Sequence, residues 1–184
     1  DLNEEQQLLK GSVSRLLSDH YGFEQRRSHA RLPHRWSRDM WRQYAELGLL
    51  GVPFADRYGG FGGGPVEIMV VMEEFGRALS LEPYLSTVVM GGGLLRHGAR
   101  ATLQEALIPS IVKGELLMAF AHVEPQSRYD LNDVAVSARG EGDHWIIDGE
   151  KSVVLHGDTA DKIVVSARVS GGQRDRDGIA AFVV

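Results

Sequence analysis

Hydrophobic residues change their period once along this chain, near residue 114. Before that point they recur three and four residues apart, the spacing of a helix stripe. After it, β-branched residues alternate with polar ones between turn signals. Both periods in succession predict an α+β protein, with a helical domain over 1–114 followed by a β domain over 115–184. A length of 184 residues leaves room for one ordinary domain or two small ones, and a hydrophobic content of 43% favours packed cores over disorder.

In the helical half, Asn3 suits an N-cap, with Glu4 and Glu5 facing the helix dipole favourably. Leu8, Leu9, Val13, Leu16 and Leu17 then form one stripe. A second helix is expected from Ser37, carrying Met40, Trp41, Tyr44 and Leu47 and stopping at Gly48. Pro65 suits the first position of a third, which carries Val66, Met69, Val70, Met72 and Phe75. Further helices are expected over Pro83–His97 and Thr102–Val112. Gly91, Gly92 and Gly93 weaken the former unless another backbone or a ligand comes close there. In the β half, strands are expected over 116–121, 134–138, 144–147, 152–155, 162–167 and 179–184. Gly142-Asp143 and Asp148-Gly149 are turn dipeptides, the latter the stronger hairpin signal. Residues 171–178 read as a mobile surface loop. The chain stops on an apolar strand, the expectation for a fragment.

Acidic side chains outnumber basic ones, 25 to 20, for a net charge of −5. That is the wrong balance for a nucleic-acid surface. Cysteine is absent, which excludes disulfides, cysteine-ligated metals and cysteine nucleophiles. No apolar run reaches the roughly 18 residues of a membrane span. The acidic start is unlike a signal or transit peptide, so a cytoplasmic protein is expected.

Gly59 to Gly64 lack the Lys-Ser/Thr of a phosphate loop and read as a linker between helices. The histidines show no close ligand pairing, so no metal site is expected. His122 and His156 stand out because each lies at the end of a predicted strand. Five arginines and two histidines between Arg26 and Arg38 read as a solvated face, with a phosphate or a partner subunit as the sharper alternative. No G-x-S-x-G elbow is present. Pro125, after Glu124, ends a strand and fixes a turn.

Gly114-Glu115-Leu116 running into His122-Val123-Glu124-Pro125 resembles the acyl-CoA dehydrogenase family, where a G-E-x strand enters a Thr-Glu-Pro turn. The run from Gly142 to Lys151 is similar to the family's G-D-x-(Y/W)-x-(L/I)-(N/D)-G-x-K. The run from Ala160 to Arg168 is similar to its A-D-x-x-x-V-x-A-R. Leu47 to Pro53 and Tyr58-Gly59-Gly60 also match, so the resemblance covers nearly the whole chain. Arg128-Tyr129-Asp130-Leu131, Val154 to Asp158 and Gly171 to Gly178 resemble the bacterial pimeloyl-CoA dehydrogenase small-subunit branch.

The resemblance implies a helical N-terminal domain, a middle β-barrel domain, incomplete here, and a C-terminal helical domain outside this chain. It implies FAD as cofactor, an acyl-CoA substrate, an electron-transfer flavoprotein as acceptor, and a homo- or hetero-tetramer. The glutamate that removes the α-proton falls in the third domain, so no catalytic residue is named here. Carried over by position, the flavin contacts are Phe120, His122, Val123, Tyr129, Val153, Val154, Leu155 and His156. Arg128 and Tyr129 are the substrate contacts. The family's two flavin-facing threonines are Val123 and Leu155 here, each a lost hydroxyl worth about 1 kcal/mol. His122 or His156 can substitute as donor, and adjacency to Leu155 favours His156. Three functions follow: a flavin-dependent dehydrogenase subunit, a flavin-poor structural partner in a heteromer, or another flavin chemistry on the same fold.

Overall fold

The computed structural model describes residues 1–184 and divides into two compact units, Asp1–Leu116 and Leu117–Val184. No helix is long and apolar enough to cross a membrane.

The first unit contains α1 (Glu4–His20), α2 (Phe23–His29), α3 (Arg38–Glu46), α4 (Pro65–Ala78), α5 (Gly92–Gly98) and α6 (Ala101–Val112). Local chemistry sets its helix starts. The Asn3 side chain accepts from the Gln6 amide at 2.8 Å while the Gln6 side chain accepts from the Asn3 amide at 3.0 Å, a complete capping box. Ser37 Oγ caps α3 by accepting from the Met40 amide at 3.2 Å, and Pro65 opens α4. The apolar stripes meet in an aromatic core. Tyr44 stacks on Phe75 at 4.7 Å, and Phe75 meets Tyr84 edge-on at 5.0 Å. Val13 and Leu17 bury the inner face of α1, whereas Leu8 lies 72% exposed.

Two features differ from the sequence expectation. Phe23–His29 forms a helix inside the basic stretch, with no buried residue to give it an apolar stripe. The expected helix over 83–97 is a π-helix, Leu85–Gly91, running into α5. Glycine serves close approach there: a Cβ on Gly92 would stand 2.5 Å from Phe54 Cζ. The linker glycine Gly60 is constrained in the same way, since its Cβ would meet Gly51 O at 2.5 Å.

The second unit is a five-stranded mixed sheet of β1 (Met118–Ala121), β2 (Ser137–Glu141), β3 (His144–Asp148), β4 (Lys162–Arg168) and β5 (Ile179–Val183). β4 is its organiser. β1 runs parallel to it, β5 antiparallel, and β2 meets it through Ser137 opposite Arg168. The Asp161 side chain accepts from the Leu117 amide at 2.8 Å and sets the start of the β1–β4 ladder. β2 and β3 form an antiparallel hairpin around Gly142-Asp143.

Three expectations for this unit fail for non-local reasons. The hairpin forms at Gly142-Asp143 and not at Asp148-Gly149, because residues 149–161 form no strand to pair back on β3. Residues 152–155 lie outside the sheet: the Ser152 amide bonds to Val123 O at 2.8 Å, and Val153 turns into the left-handed region at φ 50°. Residues 134–136 are likewise drawn off the ladder. The Val134 amide goes to Gln173 O at 3.0 Å, and the next two amides go to a carboxylate.

Candidate functional site

That carboxylate is Glu124, which ends the segment leaving β1 and is 2% exposed. It accepts from Lys151 Nζ at 2.6 Å, from Gln126 Nε2 at 2.8 Å, and from the Ala135 and Val136 amides at 2.7 and 3.2 Å. Lys151 is also buried and donates on to Ser166 Oγ at 3.0 Å on β4. Burial alone would raise the Glu124 pKa. The Lys151, Gln126 and amide donors outweigh burial and hold it below the ordinary glutamate value. The Glu124–Lys151 pair thereby ties four segments together: the turn after β1, the approach to β2, the residues after β3, and, through Lys151, β4. Ser127 closes the turn by accepting from the Glu124 amide and donating to its carbonyl, both at 3.0 Å.

A second polar frame stands beside the first. Buried Arg168 donates to Asp177 O at 2.6 Å, Asn132 O at 2.9 Å and Gln173 O at 2.7 Å. Asp133 accepts from Gln173 Nε2 at 2.6 Å and Arg174 Nε at 2.9 Å. The Gln173 hydrogen bond, the largest influence, lowers the Asp133 pKa against its desolvation, with Gln126 and Arg174 adding to it. Residues 171–178 are therefore not a free loop: buried Arg168 and Asp133 anchor them.

These frames flank a cleft of about 690 Å³ within the second unit. His122, Val123, Ser127, Arg128, Tyr129 and Val153 line it, with Asp130 and Leu131. The Ser152–Val123 main-chain bond brings the 120–129 and 153–156 segments side by side. The Phe120 ring stacks on the His122 imidazole at 4.6 Å and 17°, behind the wall. Arg128 is in the left-handed region at φ 48°, as is Val153, and Tyr129 is 98% exposed. Such residues are uncommon away from glycine and gather at functional sites. Val154, Leu155 and His156 do not line the cleft. They form a tight turn closed by the Gly157 amide on Val154 O at 3.1 Å and the Thr159 amide on His156 O at 3.2 Å.

The chain matches two consecutive family descriptions: "Acyl-CoA dehydrogenase, N-terminal domain" over residues 3–115 and "Acyl-CoA dehydrogenase, middle domain" over residues 119–184. The chain belongs to the acyl-CoA dehydrogenase family. Bovine mitochondrial isovaleryl-CoA dehydrogenase is 32% identical over 91% of this chain and 40% of its own length. Acyl-CoA dehydrogenase FadE12 of Mycobacterium tuberculosis is 32% identical over 99% of this chain and 47% of its own length. Among solved structures, a variant of the Tcur3481–Tcur3483 steroid ACAD superposes with a TM-score of 0.86 at 30% identity, covering 98% of this chain and 48% of that one. The ChsE4–ChsE5 complex of Mycobacterium tuberculosis gives 0.86 at 27%, covering 100% and 48%. The chain thus spans about half the length of these relatives.

An acyl-CoA dehydrogenase middle domain implies FAD, and the cleft fits part of such a group. Its volume is that of a small-molecule site. His122 in its wall is stacked on the Phe120 ring, and His122 Nδ1 is buried without a hydrogen-bond partner. Sequence reasoning placed Glu124, Lys151 and Arg168 inside family motifs and gave them no role. Their function as the frame behind the wall depends on partners up to 36 residues away, as between Arg168 and Asn132.

Proposed function

We propose that the protein carrying this chain is a flavin-dependent acyl-CoA dehydrogenase subunit acting on the α,β C–C bond of an acyl-CoA thioester. The observation that carries this reading is the cleft at His122, Val123 and Val153, built on the Glu124–Lys151 pair. Flavin, when bound, supplies the acceptor for the hydride that leaves the β-carbon. The chain's own contribution is positional. Phe120, His122, Val123, Tyr129, Val153, Val154, Leu155 and His156 are the proposed cofactor contacts, many through main-chain groups that bond whatever the side chain. Arg128 and Tyr129, both exposed beside the cleft, are proposed to meet the acyl-CoA. The group that removes the α-proton is assigned outside this chain. An electron-transfer flavoprotein as electron acceptor, a homo- or hetero-tetrameric assembly and a cytoplasmic location belong to the same proposal.

A second reading, a flavin-poor partner in a mixed assembly, is favoured by Val123 and Leu155, which offer no hydroxyl. The two-component names of the ChsE4–ChsE5 and Tcur3481–Tcur3483 relatives are in keeping with it. The visible absorption spectrum of the purified full-length protein decides between the two, taken alone and with its neighbouring subunit. A flavin band from the protein alone supports the dehydrogenase reading, and assays on branched-chain, dicarboxylyl and steroid-linked acyl-CoA thioesters follow. A colourless protein that turns yellow only in the mixed complex overturns it in favour of the partner reading.

A further inference from the structure

We infer that His122 fixes the bound flavin ring by donating a hydrogen bond from Nε2. The inference rests on the flavin reading above and names the side chain that makes good the two lost hydroxyls.

His122 Nδ1 is shut off from solvent and has no hydrogen-bond partner. A proton there would be a buried N–H with no acceptor, in the other neutral tautomer and in the cation alike. The tautomer protonated on Nε2 leaves only an unpaired acceptor there, and buried orphan acceptors are better tolerated than orphan N–H groups. Because His122 lines the cleft while Nδ1 is buried, the ring presents its Nε2 side to the cavity. Stacking on Phe120 at 4.6 Å and 17° holds the ring plane, so the donor is aimed before any ligand arrives.

The other lining side chains do not compete. Val123, Val153 and Leu131 have no donor. Ser127 spends its hydroxyl on the Glu124 main chain at 3.0 Å. Arg128 and Tyr129 carry donors but are exposed, and no ring stack fixes them as Phe120 fixes His122. The partner class is therefore a hydrogen-bond acceptor on a flat heteroaromatic ring, which the carbonyl and nitrogen edge of a flavin provides. A donor at that edge stabilises the negative charge that reduction places on the ring, so His122 also raises the reduction potential of the bound flavin.

The test compares full-length wild-type protein with His122→Phe, which keeps the stack and loses the donor, and His122→Gln, which keeps an N–H. FAD affinity is read by flavin fluorescence and the potential of the bound flavin by spectroelectrochemistry. H122F is expected to bind FAD about fivefold more weakly, the equivalent of one neutral hydrogen bond, with a more negative potential. H122Q is expected to recover both. If H122F fails to fold, His122→Met, which also lacks a donor, takes its place in the comparison. Equal affinity and potential in wild type and the donorless variant overturn the role of His122. So does a defect that H122Q fails to relieve, since that marks packing. A wild-type protein that binds no FAD overturns the flavin reading itself, a result distinct from either.

Discussion

Both units bury glutamates and use them differently. In the helical unit, Glu74 is 4% exposed and has Lys10 and Arg77 no nearer than 3.7 Å, both from partly exposed side chains. Glu82 of the same unit is 5% exposed and no lysine or arginine reaches it. It accepts from Ser80 Oγ at 2.7 Å, the Ser37 amide at 3.1 Å and the Tyr44 hydroxyl at 3.3 Å. Around it stands a continuous apolar core with Tyr44, Tyr84, Leu49, Leu50, Ile108 and Ile111 fully buried. In the β unit, one buried apolar cluster is Val136, Ala138 and Ala167, with Ile147 and Phe182 packed on it, and Leu117, Met118, Ala119, Val134 and Val164 are also buried, so the side chains are smaller on the whole. Glu124 there carries a cation and ties separate segments together. A helical domain with large side chains is ordered by apolar burial, and Glu82 ties the start of α3 to residues 80–82 with neutral donors alone. A small sheet with loops on its face depends on charged frames, and those loops are where the cleft lies.

The largest test of this contrast is Lys151→Met. Removing the cation leaves Glu124 buried without its counter-charge, and breaking such a pair costs about 3–5 kcal/mol. Chemical denaturation should show that loss. Hydrogen exchange should place it in β4 and residues 134–136 while α3 and α4 keep their protection. Equal loss of protection in both units would break the comparison.

The second test is pH. Glu124 and Asp133 have folded pKa values held below their ordinary ones. Their contribution is present above about pH 4.3, the unfolded glutamate value, and is lost as pH falls through the folded values. In the helical unit, burial raises the pKa of Tyr21, Tyr44 and Tyr84 above the ordinary phenol value. Stability tied to those neutral phenols is intact below about pH 10 and is lost as pH rises beyond it. The helical unit has depressed carboxylates of its own, Glu67 beside Gln6 and Glu73 beside Arg77, but neither is buried. Acid should therefore open the β unit first and alkali the helical unit. Hydrogen exchange at both extremes reads the order, and the reverse order would refute the assignment.

A smaller effect is expected from Tyr44→Phe, which removes one donor to Glu82 while Ser80 and the Ser37 amide remain. A loss of about 1–2 kcal/mol is the range for one bond to a charged or neutral group. A loss as large as that of Lys151→Met would mean that Glu82 carries as much of its unit as Glu124 does. The least effect belongs to Arg42→Ala, whose 2.7 Å pair with Asp39 lies on the exposed face of α3. Less than about 0.5 kcal/mol is expected in thermal melts.

Helix starts and the order of the two units were legible in the sequence because their causes are local. Asn3 with Gln6, Ser37 with Met40 and Pro65 at a helix start act within one turn. The change of period near residue 114 reports which kind of surface each half buries. The family was legible too, through motifs whose residues now have physical roles: Asp161 as the cap of β1, and Lys151 and Arg168 as frame cations. The cleft was legible in part. His122, Val123, Arg128, Tyr129 and Val153 were named from the resemblance and come together around it.

Other features were decided by tertiary structure alone. No local pattern says that residues 134–136 and 152–155 give up their strands, because their amides are claimed by Glu124, Gln173 and Val123 from distant parts of the chain. Nor can adjacency to Leu155 rank His156 above His122. In the folded unit His156 belongs to a turn beside the cleft, and His122 lies in its wall with one nitrogen buried and unpaired. The amino-acid order determined period, caps and motifs, since these act over a few residues. The assignment of buried donors and acceptors needed the folded chain, because a hydrogen bond is allotted by proximity in space and every buried polar group competes for its partner at once.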